Sequence, residues 1–141
     1  MLSRLRPCIG LSVTEFWASL SLFKFTMLIN RDNLYLIHIR ECLARVAEYT
    51  SGGRDEFMQD TKTQDAVLRN LQTMGESTQR LSDSLKAGYP QVDWRDLSAF
   101  RNILVHNYMG MDLAQIWQII TDDLPPFEQQ IDIMLQSVNP T

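Results

Sequence analysis

From residue 32 onward, apolar residues recur at intervals of three and four, which is the spacing of one face of an α-helix. Asp32 is placed to cap the first predicted helix, and Ser51-Gly52-Gly53 is placed to end it. A second predicted helix runs from about Thr63 to Leu85 and has Gly75 in its interior. A glycine inside a helix costs about 1 kcal/mol relative to alanine, so we expect another helix to approach closely at that position.

Three more helices are predicted in the C-terminal half of the chain. Asp93 caps the third, whose pattern ends near Tyr108 to Gly110, and Asp112 caps the fourth. Pro125 and Pro126 open the fifth, because proline suits the first turn of a helix. No segment alternates with a period of two for long enough to form a strand. The predicted fold class is therefore all-α, a bundle of about five helices.

Residues 1–26 differ from the rest and form an N-terminal extension to a predicted domain at residues 27–141. The extension has two arginines followed by a mostly apolar stretch, which Glu15 and Lys24 interrupt. A signal peptide has a cleaner apolar stretch and a small-residue cleavage site, and neither is present. A start assigned upstream of the natural one and a flexible extension are both open interpretations of this segment.

Composition restricts the class of protein further. The 141 residues suffice for one domain with a core, and 45% hydrophobic residues are typical of a globular protein. The net charge of -4 produces no global positive field, so contact with RNA would need a local basic patch. No apolar run is long enough to span a membrane. Cys8, Cys42 and the two histidines have no zinc-site spacing, and the few cysteines fit a reducing interior, so we expect a cytoplasmic protein without a metal.

Candidate chemistry concentrates around one of the two histidines. His38 lies among apolar helix positions and is interpreted as an ordinary helix residue. His106 instead has a cation, an amide and a phenol close to it in the sequence. Asn102 and His106 are four residues apart and share a helix face, while Arg101 and Tyr108 share a neighbouring face. Such a set can line a groove for an extended phosphodiester. The helix dipole alone also favours Arg and His near a C-terminal end, so the spacing leaves both interpretations open.

The segment from Arg101 to Tyr108 resembles the Arg-x4-His-x-Tyr motif of HEPN domains, with Asn102 at the position where that family prefers asparagine. The resemblance covers roughly residues 30 to 138 and is closest to the HepT branch. The other segments that carry it are Tyr35 to Ile39, Thr63 to Val67, Arg69 to Leu71, Gly75-Glu76, Trp94-Arg95, Gly110 to Asp112 and Ile116-Trp117.

The resemblance implies a HEPN-type antiparallel helical bundle that cleaves RNA without a metal or a cofactor. His106 would act as base or acid, since imidazole exchanges a proton near neutral pH. Arg101 would hold the phosphate, and Asn102 would donate to the phosphate or orient His106. One chain supplies one such histidine, so a homodimer with the two motifs facing each other is expected.

The HepT resemblance also implies a toxin of a type VII-like toxin–antitoxin pair. Its partner would be a nucleotidyltransferase antitoxin similar to MntA, which would neutralise the toxin by transferring AMP onto Tyr108. The alternative for Tyr108 is that it only packs the helix end. The alternative for the whole chain is a non-catalytic helical protein that binds nucleotides or acts as a scaffold for a nucleotidyltransferase.

Overall fold

The computed structural model describes residues 12–139, apart from the side chain of Tyr108. The chain divides into two compact units, residues 1–30 and residues 31–141. Within the first unit, the described residues are helical from Val13 onward. The second unit contains the core and all of the candidate site residues.

Seven α-helices form the described part of the chain, which contains no β-strand, so the all-α prediction is confirmed. The helices are α1 Val13–Tyr49, α2 Arg54–Gln59, α3 Thr61–Arg80, α4 Asp83–Ala87, α5 Trp94–His106, α6 Leu113–Gln118 and α7 Leu124–Val138. A 3-10 turn, Tyr108–Gly110, follows α5, and a π-helical turn, Ile119–Asp123, joins α6 to α7. The five helices expected from the sequence correspond to α1, α3, α5, α6 and α7, while α2 and α4 are short helices in two connections.

Asp32 does not cap the first helix, so that prediction was wrong. It lies inside α1 and is only 5% exposed. Its carboxylate accepts hydrogen bonds from the backbone nitrogen of Ser82, at 2.8 Å, and from the Ser82 hydroxyl, at 2.5 Å. Ser82 is itself the N-cap of α4, where its hydroxyl accepts from the Leu85 nitrogen. The buried carboxylate of α1 therefore fixes the start of a different helix.

The second predicted helix is broken, because α3 ends at Arg80 and the chain is extended at Leu81 and Ser82. Ser82 favours the cap over helix continuation, since its hydroxyl satisfies a backbone N–H at the start of α4. The caps predicted for α5 and α6 are confirmed. Asp93 accepts from the Asp96 nitrogen and Asp112 accepts from the Ala114 nitrogen.

The core of the second unit combines apolar residues from all of its longer helices. Cys42 lies within this core, and burial raises the pKa of its thiol, with a smaller lowering effect from Arg45 and a raising one from Glu41. The fully or almost fully buried side chains are Leu36, Ile39, Val46, Phe57, Val67, Leu71, Met74, Leu104, Ile131 and Met134. Within the described residues, none of the helices has the length and apolar content needed to cross a membrane.

Candidate functional site

Helices α5 and α3 approach each other closely where Gly75 faces Arg101. A Cβ atom added at Gly75 would lie 2.7 Å from the Cβ of Arg101 and 3.5 Å from its Cα. The nearer distance is below any ordinary carbon–carbon contact, so only glycine permits this separation of the two helices. The close helix approach predicted at Gly75 is therefore confirmed, and the helix that makes it is the one that carries the motif.

Arg101 is held by polar contacts on both sides of its guanidinium. Its Nη2 lies 3.8 Å from a carboxylate oxygen of Glu76, the neighbour of Gly75 on α3. Its Nη1 donates a hydrogen bond of 3.1 Å to the side-chain oxygen of Asn102. The arginine side chain is 26% exposed, and its buried Nε has no hydrogen-bond partner among the described residues. The guanidinium is thus fixed in position while part of its edge stays accessible.

Further contacts hold α5 against the rest of the second unit. Gln79 of α3 donates to the Ser98 hydroxyl of α5 at 3.3 Å. At the start of α5, the indole nitrogen of Trp94 donates to the backbone oxygens of Lys86 and Tyr89. Leu104 is buried in the core and anchors the last turns of the helix. Because α5 is held along its length, the direction of each motif side chain is set by its position on the helix.

Asn102 and His106 are both exposed and occupy the solvent side of α5. His106 is the last residue of the helix, and the Asn107 nitrogen closes the helix by donating to the Ile103 oxygen at 2.9 Å. Cationic side chains are favoured at this end of a helix by the helix dipole. Arg101 faces α3 instead, so the hydrogen bond from Arg101 to Asn102 links the inner and outer parts of the motif.

The backbone of Tyr108 begins the 3-10 turn that follows α5. Its side chain lies outside the part of the chain that the structure describes, so the role expected for its phenol stays a prediction. Met109, the next residue, is 98% exposed.

His38 has a packing role, in agreement with its interpretation as an ordinary helix histidine. Its Nδ1 lies 3.0 Å from the hydroxyl of Ser77, which is buried on α3. This contact joins α1 to α3.

The sequence did not predict the contact between Glu76 and Arg101. Gly75-Glu76 is one of the segments that carry the family resemblance. The residues around it in the sequence do not indicate that Glu76 faces Arg101 in the folded protein.

Within residues 12–139, no group of three or more His, Cys, Asp or Glu side chains is close enough together to hold a metal ion.

Comparison with known proteins identifies relatives of the second unit. The model of the HepT-like ribonuclease family matches residues 39–134, a span that includes α3, α5 and the motif up to Tyr108. A Thermococcus cleftensis protein named "Probable ribonuclease HepT" is 30% identical, covering 70% of this chain and 90% of its own length. The Shewanella oneidensis protein named "mRNA nuclease HepT" is 25% identical, covering 68% of this chain and 90% of its own length. No solved structure matches the chain significantly.

The contact between Gly75 and Arg101 predicts an unusual effect of Gly75→Ala on stability. Alanine gains about 1 kcal/mol of helix propensity, but overpacking against the Arg101 Cβ costs about 1 to 3 kcal/mol. We therefore expect Gly75→Ala to lower the free energy of unfolding, measured by urea denaturation. In an Arg101→Gly background, where that Cβ is absent, the same substitution should raise it. Destabilisation of equal size in both backgrounds would contradict the proposed clash.

Proposed function

The chain belongs to the HepT-like ribonuclease family, and from that membership we propose that it is a metal-independent endoribonuclease, the toxin of a type VII-like toxin–antitoxin pair. The observation that supports this most is the arrangement at α5. The motif residues lie together on a helix that the family match includes, and Arg101 is held by Glu76 and Asn102. The matched relatives carry the names of a ribonuclease and an mRNA nuclease.

RNA supplies its own nucleophile, which limits what the protein must provide. In the proposed reaction the 2′-OH attacks the adjacent phosphorus, the bond to the 5′-oxygen breaks, and a 2′,3′-cyclic phosphate and a 5′-OH are formed. A base must take the 2′-OH proton, and an acid must give a proton to the leaving oxygen. His106 is exposed at the end of α5, where the backbone of an RNA strand can reach its imidazole.

Arg101 and Asn102 would stabilise the negative charge that builds up on the phosphate oxygens. Arginine has five N–H donors, and the contacts with Glu76 and Asn102 leave some of them for a phosphate. Because the oxygen of Asn102 accepts from Arg101, its NH2 group is the part left to donate to the substrate or to His106. This assignment gives the asparagine both roles that the resemblance implies.

A homodimer would complete the acid–base set. One chain offers His106 alone, since His38 lies on α1 against Ser77. Two chains related by a two-fold axis with their α5 helices facing would bring together two histidines and two arginines. The pairing would also gather positive charge in an otherwise acidic protein, whose net charge is -4.

The catalytic roles predict that His106→Ala and Arg101→Ala each reduce RNA cleavage by about 100-fold or more. Both should retain the helix content of the natural protein. Matched controls are His38→Asn, which keeps a polar atom near Ser77, and Arg80→Ala, which removes an exposed arginine at the end of α3. The controls should cleave at the natural rate, measured on a defined RNA in excess EDTA.

Loss of cleavage in EDTA with recovery on adding a divalent ion would contradict the metal-independent mechanism. A purified protein that cuts no RNA, with or without a divalent ion, would favour the non-catalytic scaffold.

The shared site predicts complementation between two inactive chains. The His106→Ala and Arg101→Ala chains are unfolded, mixed and refolded together, which produces mixed dimers. In a mixed dimer, one chain keeps Arg101 and the other chain keeps His106. We expect cleavage to return in the mixture and not in either variant refolded alone. A natural protein that is monomeric by light scattering at the concentration of the cleavage assay, yet fully active, would contradict the dimer.

Tyr108 is the proposed point of control by a partner nucleotidyltransferase similar to MntA. Its phenol would give its proton to a base of the partner enzyme, its oxygen would attack the α-phosphorus of ATP, and pyrophosphate would leave. The tyrosine follows His106 by two residues at the start of an exposed turn, where an enzyme can reach the chain. The AMP phosphate would place negative charge near Arg101 and occupy the place of the RNA phosphate.

Control through Tyr108 predicts that Tyr108→Phe escapes modification while remaining toxic. The substitution keeps the ring and removes only the acceptor oxygen. Intact-mass measurement after incubation with ATP and the partner enzyme should show added AMP on the natural protein and none on the variant. A gain of one or more AMP groups on Tyr108→Phe would show that another residue is the acceptor.

A further inference from the structure

A small cavity continues the groove between α3 and α5 beyond Arg101. Its volume is about 140 Å³, and the residues that line it are Thr78, Gln79, Lys86, Trp94 and Ser98. We refer to it as the Lys86 cavity. It lies about one helical turn from the contact between Gly75 and Arg101, since Gln79 follows Gly75 by four residues and Ser98 precedes Arg101 by three. None of the proposed catalytic residues lines it, so the proposed reaction gives it no role.

The ammonium group of Lys86 has no acidic partner among the described residues. It lies 5.9 Å from the centre of the Trp94 ring, in a cation–π contact. The ring is fixed by its indole nitrogen, which donates to the backbone oxygens of Lys86 and Tyr89. No ion pair of the described residues includes Lys86, and Glu76 is engaged by Arg101. The aromatic ring therefore holds the ammonium in place without neutralising its charge.

The Ser98 hydroxyl adds a hydrogen-bond donor to the Lys86 cavity. Its oxygen accepts from the side-chain nitrogen of Gln79 at 3.3 Å, and its proton has no acceptor in the part of the chain that the structure describes. A hydroxyl within a helix can donate to the backbone oxygen one turn earlier, as Thr73 does to Arg69. Since Ser98 makes no such bond among the described residues, its O–H remains available to a ligand.

The charge and the size of the Lys86 cavity fit one phosphate group. None of the residues that line it is acidic, so nothing in its wall repels an anion. A water molecule occupies about 30 Å³ in the liquid, so the cavity has room for roughly five groups of that size. A phosphate group has five non-hydrogen atoms. Its oxygens would accept charge-assisted hydrogen bonds from the Lys86 ammonium and a hydrogen bond from the Ser98 hydroxyl.

We propose that the Lys86 cavity binds the RNA phosphate next to the one that is cleaved. This inference rests on the proposed function, because that function places the cleaved phosphate at Arg101. The cavity lies about 5.4 Å, one helical turn, further along the same groove, a step comparable with the separation of neighbouring phosphates in an RNA strand. Lys86 would also supply local positive charge for RNA in a chain whose net charge is -4.

The test measures RNA binding without cleavage. The probe is a short oligoribonucleotide with 2′-O-methyl groups, which lacks the nucleophile of the proposed reaction. Fluorescence anisotropy gives its Kd at several salt concentrations for the natural protein, Lys86→Gln and Ser98→Ala. Arg80→Ala is the matched control, because it removes one positive charge beside Gln79 at the end of α3 but does not line the cavity. Glutamine and alanine favour helix, so circular dichroism should show unchanged helix content in all three variants.

We expect Lys86→Gln to raise the Kd about fivefold or more. It should also reduce the slope of log affinity against log salt by about 0.7, the value for one phosphate contact on a single strand. Ser98→Ala should raise the Kd about threefold without changing the slope, because it removes a donor and no charge. Arg80→Ala should leave both quantities at the natural values.

Three results would overturn the proposal. Equal weakening by Lys86→Gln and Arg80→Ala would indicate general attraction between charges and not a site. An unchanged salt slope in Lys86→Gln would show that Lys86 contacts no phosphate of the RNA. A natural protein that does not bind the probe would also contradict the site.

Two further measurements separate the possible sources of the phosphate and the two proposals. If Lys86→Gln removes a rise in melting temperature caused by inorganic phosphate but binds the RNA probe normally, the cavity binds a free anion and the proposal is wrong. Cleavage of the unmodified RNA is measured separately. Absence of cleavage together with the expected binding pattern would contradict the proposed ribonuclease activity and not the RNA phosphate site. Normal cleavage by the natural protein, with normal RNA binding by Lys86→Gln, would overturn the phosphate site alone.

Discussion

Two helices can come as close as α3 and α5 do only where one of them lacks a side chain, and in this protein that position is Gly75. The missing Cβ brings the backbone of Arg101 against α3. From there the guanidinium reaches Glu76 on one side and Asn102 on the other. His106 then follows one turn after Asn102 on the exposed side of the same helix. The position of Arg101 thus depends on this interhelical contact, and Asn102 and His106 follow from their places on the same helix.

This arrangement works against stability at two points. Gly75 weakens α3 by about 1 kcal/mol relative to alanine, and Arg101 keeps its Nε buried without a hydrogen-bond partner among the described residues. Both costs are tolerable because the buried side chains of α1, α3, α5 and α7 form the core on which α5 rests. Such local departures from optimal packing are common at functional sites, where side-chain position matters more than stability.

Much of the fold could be predicted from the sequence, because helix periods and caps are local. Local sequence was enough to predict the caps at Asp93 and Asp112. It was also enough to predict that another helix approaches closely at Gly75. Asp32 was misassigned because its partner, Ser82, lies fifty residues away and no local pattern connects the two. The break at Ser82 has a local cause, the cap on the Leu85 nitrogen, but it was missed because Leu81 and Leu85 continue the apolar spacing of the helix across it.

The candidate site was predictable in composition and less so in geometry. Spacing placed Arg101 and Asn102 on different helix faces, whereas the structure joins them by a hydrogen bond, since a long side chain can bend toward its neighbour. The contribution of Glu76 depends on how α3 is rotated about its axis, which only tertiary packing determines. The helix over residues 13–30 was also not predicted, because residues 1–26 were interpreted as an extension that precedes the helical pattern.

The claim that the Gly75 contact positions Arg101 for RNA cleavage is tested most directly by single-turnover cleavage of a defined RNA. Gly75→Ala is compared with Gly88→Ala, which adds the same methyl group at the end of α4, away from Arg101. The assay is run at a temperature at which both variants are fully folded. We predict that Gly75→Ala lowers the cleavage rate about tenfold or more, because displacement of the guanidinium weakens stabilisation of the transition state. Gly88→Ala should cleave at the natural rate. Cleavage at the natural rate by Gly75→Ala would contradict the account.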